Sequence, residues 1–333
     1  MRILFYFLVF PLLVPMSFSQ QVITTVPWGN GEGEVGYEIF TDPNGNIESN
    51  GPAGFTVDAK GNIYIADSVN KRVLKFNAQG IFLSEIDLPF YGIHDIMVDD
   101  MGYIWITHYY PTEDQMSANM DIYKYDQLGN CVFMFTTSAD RIWIVGNHLY
   151  IDSGEEFVEG KDSEDYQYFL KFYVFDLDEN LVDTIVMKDY HGEFFAFADD
   201  GSIYAINEGY IDEEGYLQEG ATLWHYSPDG SIIGKLYLPT QNDSYIADFL
   251  GFDREGNLYI WYSKYGGESE GGCDIVRKYS PSGGILGEIE CEMDNERETV
   301  KLVLAPDGAI YSILDNPNDA PDVPIRVMKY TIP

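Results

Sequence analysis

The chain has 333 residues, of which 55 are Asp or Glu and 19 are Lys or Arg, so its formal net charge at pH 7 is −36. A charge of this sign repels nucleic acids and anionic lipid surfaces through the long-range field, which excludes these two classes of partner. The length is above that of an ordinary single domain, although all-β domains commonly reach it. We expect most of this charge to lie on a solvated acidic surface. Binding of Ca²⁺ or of a cationic partner is the alternative explanation.

The chain begins with a segment typical of a secretory signal peptide. Arg2 precedes an apolar run from Ile3 to Val14, and the small residues Ser17 and Ser19 follow it. We therefore predict a signal peptide over residues 1–19 and a secreted or periplasmic protein, with an uncleaved N-terminal anchor as the alternative. No later apolar run is long enough to span a bilayer, so we expect no membrane span after signal removal.

Six similar segments follow in chain order. Each has two apolar, β-rich stretches around a turn, and most of these turns contain Asp and Gly, which predicts a β-hairpin. These segments cover residues 55–67, 96–108, 140–153, 195–207, 250–262 and 302–314.

A second hairpin follows the first in five of the six units. These hairpins cover residues 72–86, 121–135, 171–186, 222–238 and 275–290. Four short antiparallel strands in each unit, at a period of roughly 40–55 residues, are the signature of a β-propeller blade.

The sixth unit has only three predicted strands, the third at residues 325–330, close to the end of the chain. We predict that residues 21–26 supply its fourth strand, because that pairing removes the open sheet edges at the two termini. The sequence thus predicts one all-β domain over residues 21–333, a six-bladed β-propeller of four-stranded antiparallel blades whose last blade is closed by the N-terminal strand. The predicted blades are residues 51–89, 91–137, 138–190, 191–239, 240–292, and 295–333 together with 21–26.

The stretch GPAGFTVDAKGNIYIADSVNKRVLKF, residues 51–76, resembles an NHL repeat. The whole mature chain resembles a secreted six-bladed NHL-type propeller. The resemblance is close in the first unit and weaker in the later ones, where the element from Asn70 to Arg72 has no clean counterpart. It implies the fold but no motif-based function.

Long connections are predicted on one face of the propeller. In an up-and-down blade, the loops between the second and third strands share a face with the connections between blades. Five of these loops are predicted to be long, at residues 108–120, 153–169, 207–221, 263–273 and 315–324. The connection at residues 27–50 lies on the same face as these loops and could cover the mouth of the central channel. We interpret this face as a binding surface, with tolerated insertions as the alternative.

The residues of that face are acidic and aromatic. Aromatic rings stack on sugars and hold amines by cation–π contacts, and oxygen-rich loops can bind Ca²⁺. The first hypothesis is a non-catalytic binding or scaffold propeller, a monomer, that binds a protein, peptide or carbohydrate ligand. The candidate binding residues are His94, Tyr109, Tyr110, Glu193, Tyr210, Tyr216, Asp248, Trp261 and Tyr262.

A metal-dependent hydrolase or lyase is the alternative function, because propellers of related shape include lactonases and an amidating lyase. Counted back from the end of each predicted innermost strand, His94, Glu193 and Asp248 occupy matching positions and could converge on an ion. Polar residues that hydrate the channel explain the same pattern. The sequence is compatible with bound Ca²⁺ or Zn²⁺ but requires neither ion. It contains no nucleophile elbow, HExxH motif or P-loop.

The three cysteines and two of the histidines complete the predictions. Cys273 and Cys291 flank one predicted hairpin, so they either form a disulfide across it or are two buried thiols. We expect Cys131 to be buried. His148 and His225 lie within predicted strands, where we expect them to pack rather than to bind.

Overall fold

A computed structural model describes most of the chain. The described residues are 19–41, 47–111, 118–137, 142–145, 148–159, 166–176, 180–188, 190–191, 194–198, 200–211, 217–238, 244–264, 274–292, 302–314 and 321–332. The secondary structure of this part of the chain consists of strands, bridges, turns and bends. None of its elements is a helix long and apolar enough to cross a membrane.

Twenty-six strands are assigned in these residues. Three precede the first blade: β1 (Ser19–Val26), β2 (Glu38–Thr41) and β3 (Ile47–Asn50). Blade one contains β4 (Gly54–Val57), β5 (Ile63–Asp67), β6 (Arg72–Phe76) and β7 (Phe82–Asp87). Blade two contains β8 (Ile93–Val98), β9 (Ile104–Pro111), β10 (Ala118–Tyr125) and β11 (Cys131–Thr137). Blade three contains β12 (Ile142–Val145), β13 (His148–Glu159), β14 (Tyr166–Asp176) and β15 (Leu181–Met187).

The remaining strands form three further blades. Blade four contains β16 (Phe194–Phe197), β17 (Ile203–Ile211), β18 (Leu217–Tyr226) and β19 (Ile232–Leu238). Blade five contains β20 (Ser244–Phe252), β21 (Leu258–Lys264), β22 (Asp274–Tyr279) and β23 (Ile285–Cys291). Blade six contains β24 (Leu302–Leu304), β25 (Ala309–Leu314) and β26 (Ile325–Thr331) from the C-terminal end of the chain.

The N-terminal strand closes the ring, as the sequence predicts. β1 pairs with β26 in antiparallel register, from Ser19 opposite Thr331 to Val26 opposite Ile325. The sheet order is β1-β26-β25-β24, and the innermost strand β24 contacts the innermost strand β4 of blade one. The chain is therefore a six-bladed β-propeller of four-stranded antiparallel blades, with its last blade built from both ends.

The turns between the first two strands of a blade explain the repeated Asp and Gly. In blade one, the Asp58 carboxylate accepts hydrogen bonds from the backbone N–H groups of Lys60 and Asn62, both at 2.9 Å. Gly61 has a φ of 80°, a conformation that costs glycine little. Asp253 in blade five accepts from two backbone N–H groups in the same way. The repeated motif is thus local turn chemistry.

The core lies between neighbouring blades. One cluster joins blades six and one, where Phe55, Ile65 and Leu74 pack with Ile325 and Val327, all fully buried. Side chains alternate across each blade, so each strand contributes to the clusters on both sides. A single blade cannot bury its two faces alone, which is the physical reason for the repeat.

The predicted long loops are largely extended strands. In blades two, three and four, the second and third strands continue past the core as paired hairpin arms, for example to Glu159 in β13, which pairs with Tyr166 in β14. The residues between these paired strands, 112–117, 160–165 and 212–216, lie outside the described residues, as do 265–273 and 315–320. This face of the propeller therefore carries β-arms where the sequence predicted loops.

Residues 27–37 pack between blades six and one. Trp28 and Val35 are buried in the same cluster as Phe55, and the Trp28 Nε1–H donates a 2.7 Å hydrogen bond to the Val323 carbonyl. Asn70 Nδ2 donates to the Gly29 carbonyl at 2.9 Å. The element from Asn70 to Arg72, distinctive of the first unit, thus anchors this segment.

Candidate functional site

A cavity of 380 Å³ opens at the channel mouth, where the innermost strands begin. It combines two carboxylates and a histidine with aromatic and aliphatic residues, and the lining that is exposed to the cavity is mostly polar. Strands of blades two, three, four and five contribute its lining, which consists of His94, Asp95, Thr107, Met120, Ile142, Trp143, Phe195, Ala247, Asp248 and Phe249. Concave sites that mix apolar walls with a few polar groups are the usual form of a ligand pocket.

Asp95 and Asp248 occupy equivalent positions in two different blades. Asp95 pairs with Thr107 in β9, and Asp248 pairs with Trp261 in β21. A β-bulge precedes each of them, and each carboxylate accepts a hydrogen bond from the next backbone N–H, from Ile96 at 2.6 Å and from Phe249 at 2.8 Å. Blades two and five are three apart in a ring of six, so the two carboxylates project from opposite walls.

This register corrects the sequence alignment of the candidate ligands. Counting back from the strand ends matched Asp248 with His94, but the structural equivalent of His94 is Ala247, the bulge residue of β20. The reason is a second bulge in β20, between Phe249 and Gly251, which inserts one residue that β8 lacks. The sequence signal that would have revealed Asp95 is the match of His94-Asp95-Ile96 to Ala247-Asp248-Phe249.

His94 and Asp248 nevertheless line the same cavity. The His94 ring lies edge-on to Tyr109, with ring centroids 4.5 Å apart, so the structure brings three of the predicted site residues to this mouth. Glu193, the third predicted ligand, lies outside the described residues. Within the part of the chain that is described, no group of three His, Cys, Asp or Glu side chains is arranged to hold a metal ion.

The aromatic wall is fixed by the core behind it. Trp143 packs edge-on against Phe172, with ring centroids 5.9 Å apart, and at a tilt against Phe197, with ring centroids 5.2 Å apart. Phe195 and Phe249 are largely buried. These contacts hold the rings in place before any ligand arrives, which lowers the entropic cost of binding.

The other predicted aromatic residues lie elsewhere. Tyr110 stacks on His108, with centroids 5.6 Å apart, on the face of blade two that meets blade one. Tyr262 is fully buried, and its hydroxyl lies 2.7 Å from that of Tyr279. Trp261 lies partly buried against the blade-six interface. Tyr210 belongs to β17, while its side chain and the whole of Tyr216 fall outside the description.

A second polar cluster lies in the interface between blades one and two. His108 stacks on Phe90 with centroids 4.7 Å apart, and its Nδ1 lies 4.0 Å from Asp121 Oδ2. Burial lowers the pKa of His108, and the charge of Asp121 opposes that shift. Burial and the Asp121 charge raise the pKa of Tyr123 to about 12. The cluster is enclosed by packing, unlike the channel-mouth cavity.

Three expectations about cysteines and histidines change or stay open. Cys131 is exposed rather than buried, because it begins the outermost strand of blade two. Cys291 is buried and pairs with Asp274, but Cys273 lies outside the described residues, so the predicted disulfide does too. His148 is exposed rather than packed, since it starts β13, whereas His225 stacks on Tyr204 with centroids 4.2 Å apart.

A family model described as a six-bladed beta-propeller, DUF5128, matches residues 32–200, just over half of the chain. The chain therefore belongs to that family. No curated protein matches it.

Solved structures of similar shape include enzymes of unrelated activities. Hydrazine synthase of Kuenenia stuttgartiensis is 13% identical, with a TM-score of 0.46 over 78% of this chain and 73% of that chain. A luciferin-regenerating enzyme is 14% identical, with a TM-score of 0.46 over 84% and 91%. Virginiamycin B lyase from Staphylococcus aureus is 13% identical, with a TM-score of 0.44 over 95% and 100%. Similarity at this level does not extend to activity.

Proposed function

We propose that this member of the six-bladed beta-propeller family is a secreted, non-catalytic binding protein that takes up its ligand at the mouth of the central channel. One observation carries the proposal: His94, Asp95 and Asp248 come from two opposite blades and line one cavity, to which Trp143 also contributes. Polar groups converging in a preformed, partly apolar cavity are the usual mark of a binding site.

The surroundings of the cavity agree with this role. The paired arms of blades two, three and four extend on the same face as the channel mouth, where they enlarge the surface that a protein, peptide or carbohydrate partner would meet. The NHL-like stretch at residues 51–76 and the signal-like residues 1–19 support an extracellular or periplasmic propeller of the NHL type. We expect it to act as a monomer.

Occluding the cavity tests the proposal. Ala247 lines the cavity at a bulge, so Ala247→Trp would place an indole in it. Leu128→Trp, at an 87% exposed turn position on the opposite face of the propeller, provides the matched control. A panel of charged and neutral small molecules should contain binders whose affinity falls on the order of 10-fold or more in Ala247→Trp. Binding that is equal in both variants would contradict the proposal.

A metal-dependent hydrolase or lyase remains the second candidate, because His94 and Asp248 line the same cavity. Its test is the metal content of the purified protein, together with the melting temperature with and without chelator. A stoichiometric ion whose removal lowers the melting temperature, and loss of turnover on a lactone or ester in His94→Ala, would favour this candidate. A metal-free protein with an unchanged melting temperature would leave the binding function.

A further inference from the structure

We propose that a cavity between blades three and four binds a primary ammonium group, in the place where four other blades hold a lysine side chain of their own. The cavity has a volume of 360 Å³, and its lining includes Tyr150, Val174 and Asp183 of blade three and Asp200 and Gly201 of blade four. Because Gly201 belongs to a short turn between the first two strands of its blade, the cavity lies on the face opposite the channel mouth. This site is therefore separate from the channel-mouth cavity.

A repeated pair of side chains defines the position of the ammonium group. In four blades, an aromatic residue of the second strand pairs directly with a lysine of the third strand, and the lysine Nζ lies over the aromatic ring. These pairs, with the distance from Nζ to the ring centroid, are Tyr64 and Lys75 (5.0 Å), Trp105 and Lys124 (4.9 Å), Tyr259 and Lys278 (5.6 Å), and Tyr311 and Lys329 (5.2 Å). The fold thus provides the same cation–π position in each of these blades.

Blade three keeps the aromatic residue of this pair but not the lysine. Tyr150 pairs directly with Val174, whose side chain is much shorter than that of lysine and carries no charge. Both residues line the cavity, and the lining exposed to it is divided between polar and apolar atoms. The cavity therefore lies beside the residue that replaces the lysine.

Blade four shows that a contact from the next blade leaves room for a partner at the lysine position. Tyr204 pairs with His225, and the two rings stack with centroids 4.2 Å apart. Phe252 of blade five contacts the same Tyr204 ring, with centroids 4.7 Å apart. The Tyr150 ring has the equivalent contact from Phe197, at 4.2 Å between centroids, and this contact likewise leaves the side of Val174 to a ligand.

Two carboxylates give the cavity the charge that an ammonium group needs. Asp183 accepts a hydrogen bond from the backbone N–H of Thr184 at 2.7 Å, and Asp200 accepts one from that of Ser202 at 2.9 Å. Burial raises the pKa of Tyr150, and the charges of Asp183 and Asp200 raise it further, because both carboxylates lie near its ring. Carboxylates alone would suit a metal ion equally well, whereas the ring and the four lysine pairs favour an ammonium group.

The internal lysines also show how carboxylate and ring act together. The Lys278 Nζ lies 3.6 Å from Asp253 Oδ2, and the Lys329 Nζ lies 3.7 Å from Asp307 Oδ2. Each of these ammonium groups therefore has an aromatic ring and a turn aspartate as neighbours. The described residues that line the cavity between blades three and four supply the same two kinds of group without a Lys or Arg among them.

Titration with n-butylamine, which reproduces the lysine side chain, tests the proposal. The titration is followed by NMR at about pH 8, where histidine is ordinarily neutral and an alkylammonium group is charged. We expect butylamine to bind at least about 10-fold more tightly than butanol, the size expected for one charge-assisted contact. Nα-acetyl-lysine methylamide distinguishes two sources of the ammonium group. If it binds as tightly as butylamine, the site takes a lysine of a partner protein, and if only butylamine binds, the site takes a free amine.

Val174→Lys provides the direct variant, because it restores the pair found in the other four blades. It should abolish butylamine binding and raise the denaturation midpoint. Val174→Met, of similar length but uncharged, should not raise the midpoint to the same extent. Asp200→Asn should weaken butylamine binding about 10-fold or more, and it decides the question if Val174→Lys does not fold.

Lys278→Val provides the matched positive control. It gives blade five the side chain that blade three has at this position, next to Tyr259 and Asp253. The variant should be less stable than the wild type, and butylamine should restore more of the lost stability than butanol does.

Two results would overturn the proposal. They are equal affinity for butylamine and butanol, and undiminished butylamine binding in Val174→Lys. Ala247→Trp alters only the channel mouth and should leave butylamine binding unchanged, so this proposal and the proposed function can fail independently.

Discussion

The Arg72 guanidinium lies 3.0 Å from the Asp67 carboxylate, and both side chains are almost completely buried. Arg72 also reaches Glu85 at 2.8 Å and donates to the carbonyls of Gly31 and Glu34. One side chain therefore connects the second hairpin of blade one to the segment that leads in from the N-terminal strand.

Replacing Arg72 should destabilise the protein strongly. Arg72→Met removes the cation of a buried ion pair and leaves Asp67 charged, with hydrogen bonds from Gly36 and Asn70 only, which costs about 3–5 kcal/mol of the free energy of unfolding. Chemical denaturation of both proteins measures this cost.

The control for Arg72→Met is an exposed pair of similar geometry. Arg326 lies 2.8 Å from Glu292, but about two-fifths of each side chain is exposed. Arg326→Met should therefore cost no more than about 1 kcal/mol. Equal losses for the two variants would refute the anchoring role of Arg72.

Gly80 tests the closure of the last blade by β1. Gly80 has a φ of 75°, and a Cβ on it would clash with Thr24 Cβ and lie 2.8 Å from the Ile23 carbonyl oxygen in β1. We expect Gly80→Ala to cost about 1–3 kcal/mol more in unfolding free energy than a glycine substitution that meets no such contact.

Gly256→Ala provides that comparison. Gly256 has a φ of 79°, and a Cβ there would meet only Pro281 Cγ at 3.8 Å, an ordinary contact. Both variants carry the same backbone strain, so their difference in denaturation midpoint isolates the contact with β1. Indistinguishable midpoints would mean that β1 does not pack against this turn.

Much of the fold could be predicted from the sequence because turn chemistry and strand alternation are local. The Asp58 and Gly61 turn repeats closely enough to count the blades, and the three-stranded sixth unit predicts the closure by residues 21–26. The second bulge in β20, between Phe249 and Gly251, could not be predicted. A residue inserted into a strand leaves an apolar pattern that fits two different registers equally well. For the same reason, Asp95 was missed as the partner of Asp248.

Tyr262 should contribute to stability and not to ligand binding. Its hydroxyl pairs with that of Tyr279 at 2.7 Å, and the Arg277 guanidinium lies 5.0 Å from its ring centroid, all between blades four and five. Burial raises the pKa of Tyr262 far above its ordinary value. Tyr262→Phe should therefore lower the unfolding free energy by about 1–2 kcal/mol and leave unchanged the affinity for compounds whose binding Ala247→Trp blocks. A loss of affinity without a loss of stability would place Tyr262 in the binding site instead.

Two half-buried histidines should make the protein less stable in mild acid. Burial lowers the pKa of His108 and of His225, and the charges of Asp121 and Asp200 oppose these shifts only in part. The unfolded chain then binds more protons than the folded one, so the histidine contribution is fully present above about pH 6.5 and is lost as the pH falls through the folded pKa values.

Denaturation at several pH values checks this prediction. His108→Phe and His225→Phe keep an aromatic ring for the stacks on Phe90 and Tyr204 but cannot take up a proton. The double variant should lose less unfolding free energy than the wild type between about pH 7 and about pH 5. The same loss in both proteins would show that other groups cause the acid sensitivity.

The central claim is that the channel-mouth cavity is the binding site of this propeller, and a crystal structure of the protein with the tightest binder from the small-molecule panel tests it most directly. The account predicts that this compound lies in the cavity and contacts His94, Asp95 or Asp248. The same compound bound elsewhere, with this cavity empty, would contradict the account.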